Sequence, residues 1–204
     1  MGTGVYGTQC HPSCIRTQDQ FNHGIIFYSL LAILLIIVAL AASKPNHFRI
    51  EREIKIQAPA SEIFPLVNDF HQWLRWSPWE KIDPALKRQY TGATKGIGSV
   101  YEWQGNKNVG EGRMEIIGEK PLGHILIQLD FIAPFACNNQ AEFTFSSEGD
   151  STRVNWAMSG PNRFMGKLMS VFCNMDKMVG KNFEVGLANL KSQAESLPTQ
   201  RISS

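Results

Sequence analysis

The sequence predicts an α+β fold in which a curved antiparallel sheet of seven strands packs around one long C-terminal helix, preceded by one transmembrane helix. Three observations support this fold class. An uncharged apolar run lies near the N-terminus, seven strand-like segments follow with turn signals between them, and a long helical pattern comes after the last strand. The 204 residues are enough for one ordinary domain plus such a segment.

The apolar run extends from Gly24 to Ala42 and contains no charged residue. A bilayer core of about 30 Å is spanned by about 20 such residues in a helix, so residues 24–43 are predicted to form a single-pass transmembrane helix. A cleaved signal peptide is the alternative, because Ala39 and Ala41 fit the small-x-small cleavage pattern. Residues 1–23 and 196–204 are predicted to be disordered tails.

Basic residues are more frequent after the apolar run than before it. Lys44, Arg49, Arg52 and Lys55 follow the run, whereas Arg16 is the one basic residue that precedes it. The flank of a membrane segment that is richer in lysine and arginine usually faces the cytoplasm. We therefore expect the C-terminal domain to be cytoplasmic.

Seven segments after the apolar run have the patterns of strands. Residues 48–56 alternate apolar and charged side chains with period two, which is typical of a half-buried strand. The others are residues 87–91, 99–104, 109–117, 124–131, 137–147 and 151–159. Turn residues at intervals of about 8–12 residues indicate an antiparallel meander. One face of this sheet is apolar and needs a cover, which the C-terminal helix is predicted to supply.

Two short helices are predicted between the first two strands, and three tryptophans lie at and after the second. Trp73, Trp76 and Trp79 are large, and each needs a partner for its N–H group when buried. Two interpretations stay open. The short helices are either a lid packed on the end of the sheet, or they carry the aromatic wall of a ligand pocket.

The long helix is predicted to run from Pro161 to Leu190. Proline is favoured in the first turn of a helix, and apolar residues then recur at steps of three and four. At about 100° per residue, the spacing from Met165 to Asp176 returns the carboxylate to the apolar face. Asp176 is therefore expected to point into the apolar stripe, either satisfied by buried donors or serving a ligand.

Cysteine spacing and net charge argue against metal and nucleic-acid partners. Cys137 and Cys173 lack a metal-ligand spacing, and Cys10, His11 and Cys14 lie close together but offer no fourth ligand. No metal and no cofactor is predicted. The formal net charge of +2 gives no support for a nucleic-acid partner.

A set of short motifs lies between residues 48 and 192. They are Trp73-x-x-Trp76-Ser77-Pro78-Trp79-Glu80, Asp83-Pro84, Tyr90-x-Gly92, Gly96-x-Gly98, Tyr101-x-Trp103-x-Gly105-Asn106, Val109-Gly110-x-Gly112-x-Met114, Asn174-Met175-Asp176-Lys177-Met178-x-Gly180 and Phe183-x-x-Gly186-Leu187. Together they resemble the SRPBCC superfamily, which includes START and Bet v 1-like proteins, and within it the polyketide cyclase/dehydrase-like group. The resemblance implies a helix-grip fold around an apolar cavity, here over residues 47–195. It implies no particular catalytic residue, and members of the superfamily range from lipid carriers to cyclases.

Three functions stay open at this point. The favoured one is a membrane-anchored protein that binds, transports or senses a hydrophobic small molecule or lipid in a cavity between the sheet and the C-terminal helix. Its expected ligand-binding residues are Trp79, Tyr101, Trp103, Met114, Phe143, Trp156, Met165, Met169, Phe172 and Asp176. The alternatives are a polyketide cyclase/dehydrase-like enzyme, in which a desolvated Asp176 acts as acid or base, and a protein-interaction module. The sequence assigns neither a ligand nor an oligomeric state.

Overall fold

The computed structural model describes residues 12–162, 166–168, 171 and 174–196. These residues form two compact units. The first contains residues 12–44 together with 166–168 and 171, and the second contains residues 45–162 and 174–196.

The first unit contains one long helix, α1 (Pro12–Ala42). In the described part of the chain, Ile25–Ala42 is the one helical segment long and apolar enough to cross a membrane, a property that signal sequences share. The helix begins before Gly24, so the prediction of a disordered tail is wrong for residues 12–23. Once a helix is nucleated, each added residue gains one hydrogen bond at little further cost, which lets it extend into polar sequence. Residues 1–11 and 197–204 lie outside the described residues.

The second unit is built on the seven-stranded antiparallel sheet that the sequence predicts. Its strands are β1 (His47–Ile56), β2 (Lys87–Gly92), β3 (Ser99–Gln104), β4 (Glu111–Lys120), β5 (His124–Ala133), β6 (Cys137–Glu148) and β7 (Ser151–Pro161). Their order in space is β1-β7-β6-β5-β4-β3-β2. β2 to β7 therefore form a meander, and β1 joins it beside β7. Two register shifts in β4 add local bends to the sheet.

Short helical segments connect β1 to β2. They are α2 (Ala60–Asn68), a 3-10 turn (Phe70–Gln72), α3 (Trp73–Trp76) and a second 3-10 turn (Pro78–Lys81). α2 buries one apolar face and packs against β6, where the rings of Phe64 and Phe145 lie 5.4 Å apart. These segments thereby cover part of the inner face of the sheet.

The C-terminal helix, α4 (Met175–Ser196), is shorter than predicted. Pro161 ends β7, where it pairs with His47 of β1, so the prediction that it opens the helix is wrong. The helix of this unit instead begins beside Asn174, whose side-chain oxygen accepts a hydrogen bond from the Lys177 N–H at 3.0 Å. Asparagine is a favoured residue at helix N-termini because it satisfies an otherwise unpaired N–H group.

α4 covers the apolar face of the sheet with the C-terminal part of the predicted stripe. Phe183, Leu187 and Leu190 of that stripe are buried, and the buried Ala194 continues it beyond the predicted end of the helix, at steps of three and four. The helix also approaches the sheet closely at Gly186, where an added Cβ would lie 2.8 Å from Cζ3 of Trp156. A residue without a side chain is thus needed for this separation between α4 and β7.

Candidate ligand-binding cavity

A cavity of about 490 Å³ lies within the second unit. Its walls come from the inner faces of β3 to β7, the short helical segments before β2, and α4. The lining side chains are mostly apolar: Trp73, Trp79, Ile82, Leu86, Tyr101, Trp103, Val109, Met114, Leu129, Phe131, Ala133, Pro134, Ala141, Trp156, Met158, Met178, Val179 and Phe183. Pockets that bind small ligands have volumes of about 300–1,000 Å³ and similar linings. The volume of the cavity and the apolar character of its lining therefore suit an apolar ligand.

Stacked aromatic rings form the wall where β7 meets α4. The indole of Trp156 lies parallel to the ring of Phe183, with centroids 4.2 Å apart and an interplanar angle of 5°. Trp79 meets Trp156 edge-on at 5.5 Å. These are the offset-stacked and edge-to-face arrangements that aromatic pairs prefer. The three rings join β7, α4 and the second 3-10 turn in one continuous aromatic surface.

The other two tryptophans of the short helices are fixed by hydrogen bonds to the backbone. Trp73 donates its indole N–H to the carbonyl of Val67 at 2.9 Å, and Trp76 donates to that of Leu66 at 2.8 Å. Trp76 is fully buried in the core, whereas Trp73 also lines the cavity. Both interpretations of this region thus hold in part, because the segment packs on the sheet and also supplies cavity wall.

Trp103 forms the wall on the β3 side by lying across the neighbouring strand. It pairs with Gly112 of β4, and a Cβ at Gly112 would collide with the indole. The rings of Phe131 and Trp103 pack edge to face with centroids 5.8 Å apart. The glycine therefore leaves the space that the indole fills beside the cavity.

One part of the wall is polar and is built on Glu80. Its side chain is only 5 % exposed, and one carboxylate oxygen accepts the Nε–H of Arg88 at 2.6 Å. The other accepts the hydroxyl of Tyr101 at 2.7 Å. Glu80 and Tyr101 line the cavity, and Arg88 makes the ion pair from β2. The buried carboxylate is thus both charge-paired and hydrogen-bonded, as a buried charge requires.

The hydroxyl of Tyr101 stays protonated. Burial, followed by its hydrogen bond to Glu80, raises the pKa of Tyr101 well above its ordinary value. A phenol that donates to a carboxylate cannot ionise without placing two negative charges together. Over the physiological pH range, the proton of Tyr101 therefore remains directed at Glu80.

The structure brings together five of the expected ligand-binding residues. Trp79, Tyr101, Trp103, Met114 and Trp156 all line the cavity.

Phe143, expected beside these five, is fully buried in the core and absent from the cavity lining. It is covered by the rings of Trp73 and Trp76, both with centroids 6.1 Å from its own, and it stacks on Trp156 at 4.9 Å. The predicted side chains Met165, Met169 and Phe172 lie outside the described residues.

Asp176 does not point into the apolar interior, and that prediction is wrong. Its side chain is 60 % exposed and pairs with Arg52 of β1, with 3.1 Å between Oδ1 and Nη1. This hydrogen bond lowers the pKa of Asp176. Its pairing with Arg52 near the start of α4 explains the outward position, since a carboxylate in the first turn is also favoured by the helix dipole. Asp176 is therefore not a candidate for acid–base chemistry in the cavity.

Sequence reasoning missed several polar and apolar lining residues. The polar ones are Ser77, Glu80, Lys107, Asn108 and Asn182. Glu80 directly follows Trp79, and a charged residue next to a tryptophan-rich segment was an available signal. Phe183 lies at the three- and four-residue spacing of the apolar helix face, but nothing local in the sequence indicates that it faces a cavity.

Residues 47–195 match the family described as polyketide cyclase / dehydrase and lipid transport. The chain belongs to this family. The match spans almost all of the second unit and confirms the resemblance to SRPBCC proteins of the polyketide cyclase/dehydrase-like group. No curated protein matches the sequence.

Solved structures share the fold of this polyketide cyclase/dehydrase family member at low sequence identity. Protein CV1439 from Chromobacterium violaceum matches with a TM-score of 0.52 and 13 % identity, over 74 % of this chain and 99 % of its own. The Aha1 dimer from Colwellia psychrerythraea matches with 0.51 and 17 %, over 73 % and 97 %. The di-domain ARO/CYC BexL from the BE-7585A biosynthetic pathway matches with 0.56 and 16 %, over 88 % and 61 %. At these identities the likeness shows the fold alone.

Proposed function

We propose that the protein binds a hydrophobic small molecule or lipid and is anchored to a membrane by its N-terminal helix. The observation that carries the proposal is the cavity of about 490 Å³ between the sheet and α4, with its mostly apolar and aromatic wall. Burial of an apolar guest in such a site is favoured by about 25 cal/mol for each Å² of apolar surface removed from water. The family description, which includes lipid transport, supports the same function.

The cavity has an opening through which a guest can enter. Four residues line the cavity and are also exposed at the surface, namely Ile82, Lys107, Asn108 and Met178. Two of these side chains are apolar and one is cationic. An opening with this composition suits a ligand that leaves an apolar environment, because the exposed apolar side chains keep contact with it as it enters.

The N-terminal helix supplies the reason for a membrane location. Its segment Ile25–Ala42 is long and apolar enough to span a bilayer, and its large side chains are mostly exposed. Holding a binding site beside a bilayer raises the effective concentration of any lipid-soluble ligand. This arrangement suits a tethered carrier or sensor of such ligands. The excess of lysine and arginine after the segment favours a cytoplasmic location for the domain.

Binding is preferred over catalysis because of the groups that line the cavity. Among the described lining residues, the ionisable ones are Glu80, Tyr101 and Lys107. An efficient general acid has a pKa near the working pH, whereas the pKa of Tyr101 is strongly raised and its proton is held by Glu80. Tyr101 is therefore poorly suited to act as the acid in the cyclase-like alternative.

Native mass spectrometry of the full-length chain released from lipid nanodiscs tests the binding function. We expect a co-purified apolar molecule that is lost in Val179→Trp, because Val179 lines the cavity and an indole would occupy it. Val185→Trp is the matched control, since Val185 lies on the same helix and is 44 % exposed. Equal ligand retention in both variants, with folding verified by circular dichroism, would contradict the proposed site.

Extraction of cell membranes with alkaline carbonate tests the anchor. We expect the full-length chain to stay in the membrane fraction and a variant lacking residues 25–42 to be released. A mature N-terminus located after Ala41 would instead identify the apolar segment as a cleaved signal.

A further inference from the structure

The polar part of the cavity wall has an unequal supply of hydrogen-bond donors and acceptors. A carboxylate has about four lone-pair sites and no proton. At Glu80, the side-chain oxygens accept one bond from Tyr101 and one from Arg88. Acceptor capacity therefore remains on a carboxylate that is almost completely buried.

The donors around Glu80 are already engaged with the protein. Tyr101 has a single hydroxyl proton, which it donates to Glu80. Arg88 donates to the Glu80 carboxylate, to the Glu80 carbonyl at 3.2 Å and to the Leu86 carbonyl at 3.0 Å. Arg88 is also absent from the residues that line the cavity. This part of the wall thus offers acceptor atoms to a guest.

We infer that the cavity selects a largely apolar ligand with a hydroxyl group, either an alcohol or a phenol, whose proton is donated to the carboxylate of Glu80. The inference rests on the proposed binding function and specifies the ligand class. A ligand carboxylate is disfavoured at this position because two negative charges would be buried together. An ether of the same shape fits the apolar wall but supplies no proton to Glu80.

Other polar groups in the lining could serve a ligand without a hydroxyl. Ser77, Lys107, Asn108 and Asn182 can all donate hydrogen bonds, and so can the indole N–H of Trp156, which is buried without a hydrogen-bond partner among the described residues. Lys107 and Asn108 are exposed at the opening, away from the buried carboxylate. If these groups controlled selection, an ether or another acceptor ligand would bind as well as an alcohol, so a matched ligand pair separates the two cases.

Isothermal titration of the full-length chain in nanodiscs with 2-naphthol and 2-methoxynaphthalene makes this comparison. The two probes share one ring system and differ in the donor proton. With empty nanodiscs as reference, we expect 2-naphthol to bind about tenfold more tightly, which is the effect of one hydrogen bond to a charged acceptor. The preference should disappear in Glu80→Gln, whose amide also donates. It should persist in Glu102→Gln, a control on β3 whose side chain is 43 % exposed.

Tyr101→Phe provides a second test if Glu80→Gln fails to fold. It removes the hydroxyl that now occupies one oxygen of Glu80, so the preference for 2-naphthol should persist or increase. A general loss of packing would weaken both probes equally and leave their ratio unchanged in every variant, including Glu80→Gln.

The outcomes separate this inference from the function on which it rests. Equal affinity of both probes for the wild-type chain would overturn the selection of a hydroxyl and leave ligand binding intact. Loss of the preference in Tyr101→Phe would overturn the role of Glu80. Binding of neither probe above empty nanodiscs, together with no co-purified ligand, would overturn the proposed function itself.

Discussion

Replacement of Phe183 by alanine should destabilise the domain by about 3 kcal/mol. Phe183 is 2 % exposed and stacks on Trp156 at 4.2 Å. Truncation of a buried phenylalanine usually costs about 3–5 kcal/mol. The lower end applies here because Phe183 borders an existing cavity, where its ring already lacks contacts that a filled core would supply. Phe183→Leu retains most of the volume and should lose about 1 kcal/mol through the aromatic stacking.

Equilibrium unfolding in urea, followed by near-ultraviolet circular dichroism of the tryptophan cluster, measures this loss. Val185→Ala is the control on the same helix, since its exposed side chain should change the free energy of unfolding by less than about 0.5 kcal/mol. A loss below about 1 kcal/mol for Phe183→Ala would refute the conclusion that α4 is held to the sheet by this ring. A loss equal to that of Val185→Ala would place the helix off the sheet in solution.

Three further outcomes are expected. Thr152→Val should cost about 1–3 kcal/mol in the same urea assay, because the buried Thr152 hydroxyl donates to the carbonyl of Ala58 at 2.9 Å; an unchanged midpoint would contradict this. Asp176→Asn should leave ligand retention in native mass spectrometry unchanged, since the Asp176 side chain is exposed. A loss of ligand in this variant would indicate that Asp176 contributes to the cavity after all. The hydrogen bond from His124 lowers the pKa of Glu142 below its ordinary 4.5, so the stability that Glu142 contributes at neutral pH should be lost as the pH falls through that lowered value. Unfolding at a series of pH values should show a shallower acid slope in Glu142→Gln.

The sheet could be predicted because each strand carries its own signal. Residues 48–56 alternate strictly, and glycine, proline or asparagine lies in most of the turns, so all seven strands were located to within a few residues. Alternation of apolar and polar side chains along a strand requires only that one face of the sheet is buried. It therefore appears in the sequence whichever element covers that face. The inward positions of Met114 and Trp156 followed from the same alternation.

The position of Asp176 could not be predicted because it depended on where the helix begins. The spacing from Met165 fixes a direction only if one uninterrupted helix joins the two residues. In the structure β7 extends to Pro161, and the described C-terminal helix starts at Met175. The extension of β7 depends on its pairing with β1, which is distant in sequence. No local pattern reports such a partner.

The sequence also could not show which residues on the inner face of the sheet belong to the core and which line the cavity. Phe143 and Ala141 are neighbours on one face of β6, yet Phe143 is covered by tryptophans of the short helices and Ala141 borders the cavity. Glu80 is buried because Arg88 and Tyr101 reach it from two strands. Both results depend on the three-dimensional arrangement of elements, which alternation alone does not encode.

Adding a single methyl group at Gly186 should change the shape of the cavity, although Gly186 itself does not line it. It does not line the cavity, but it lies against Trp156, whose ring is part of the wall, and a Cβ there would also lie 3.2 Å from Cδ of Pro78. Alanine would have to push the helix outward or tilt the indole, and both movements alter the depth of the cavity. A substitution at Gly186 should therefore change the space available to a guest while every side chain that lines the cavity keeps its identity.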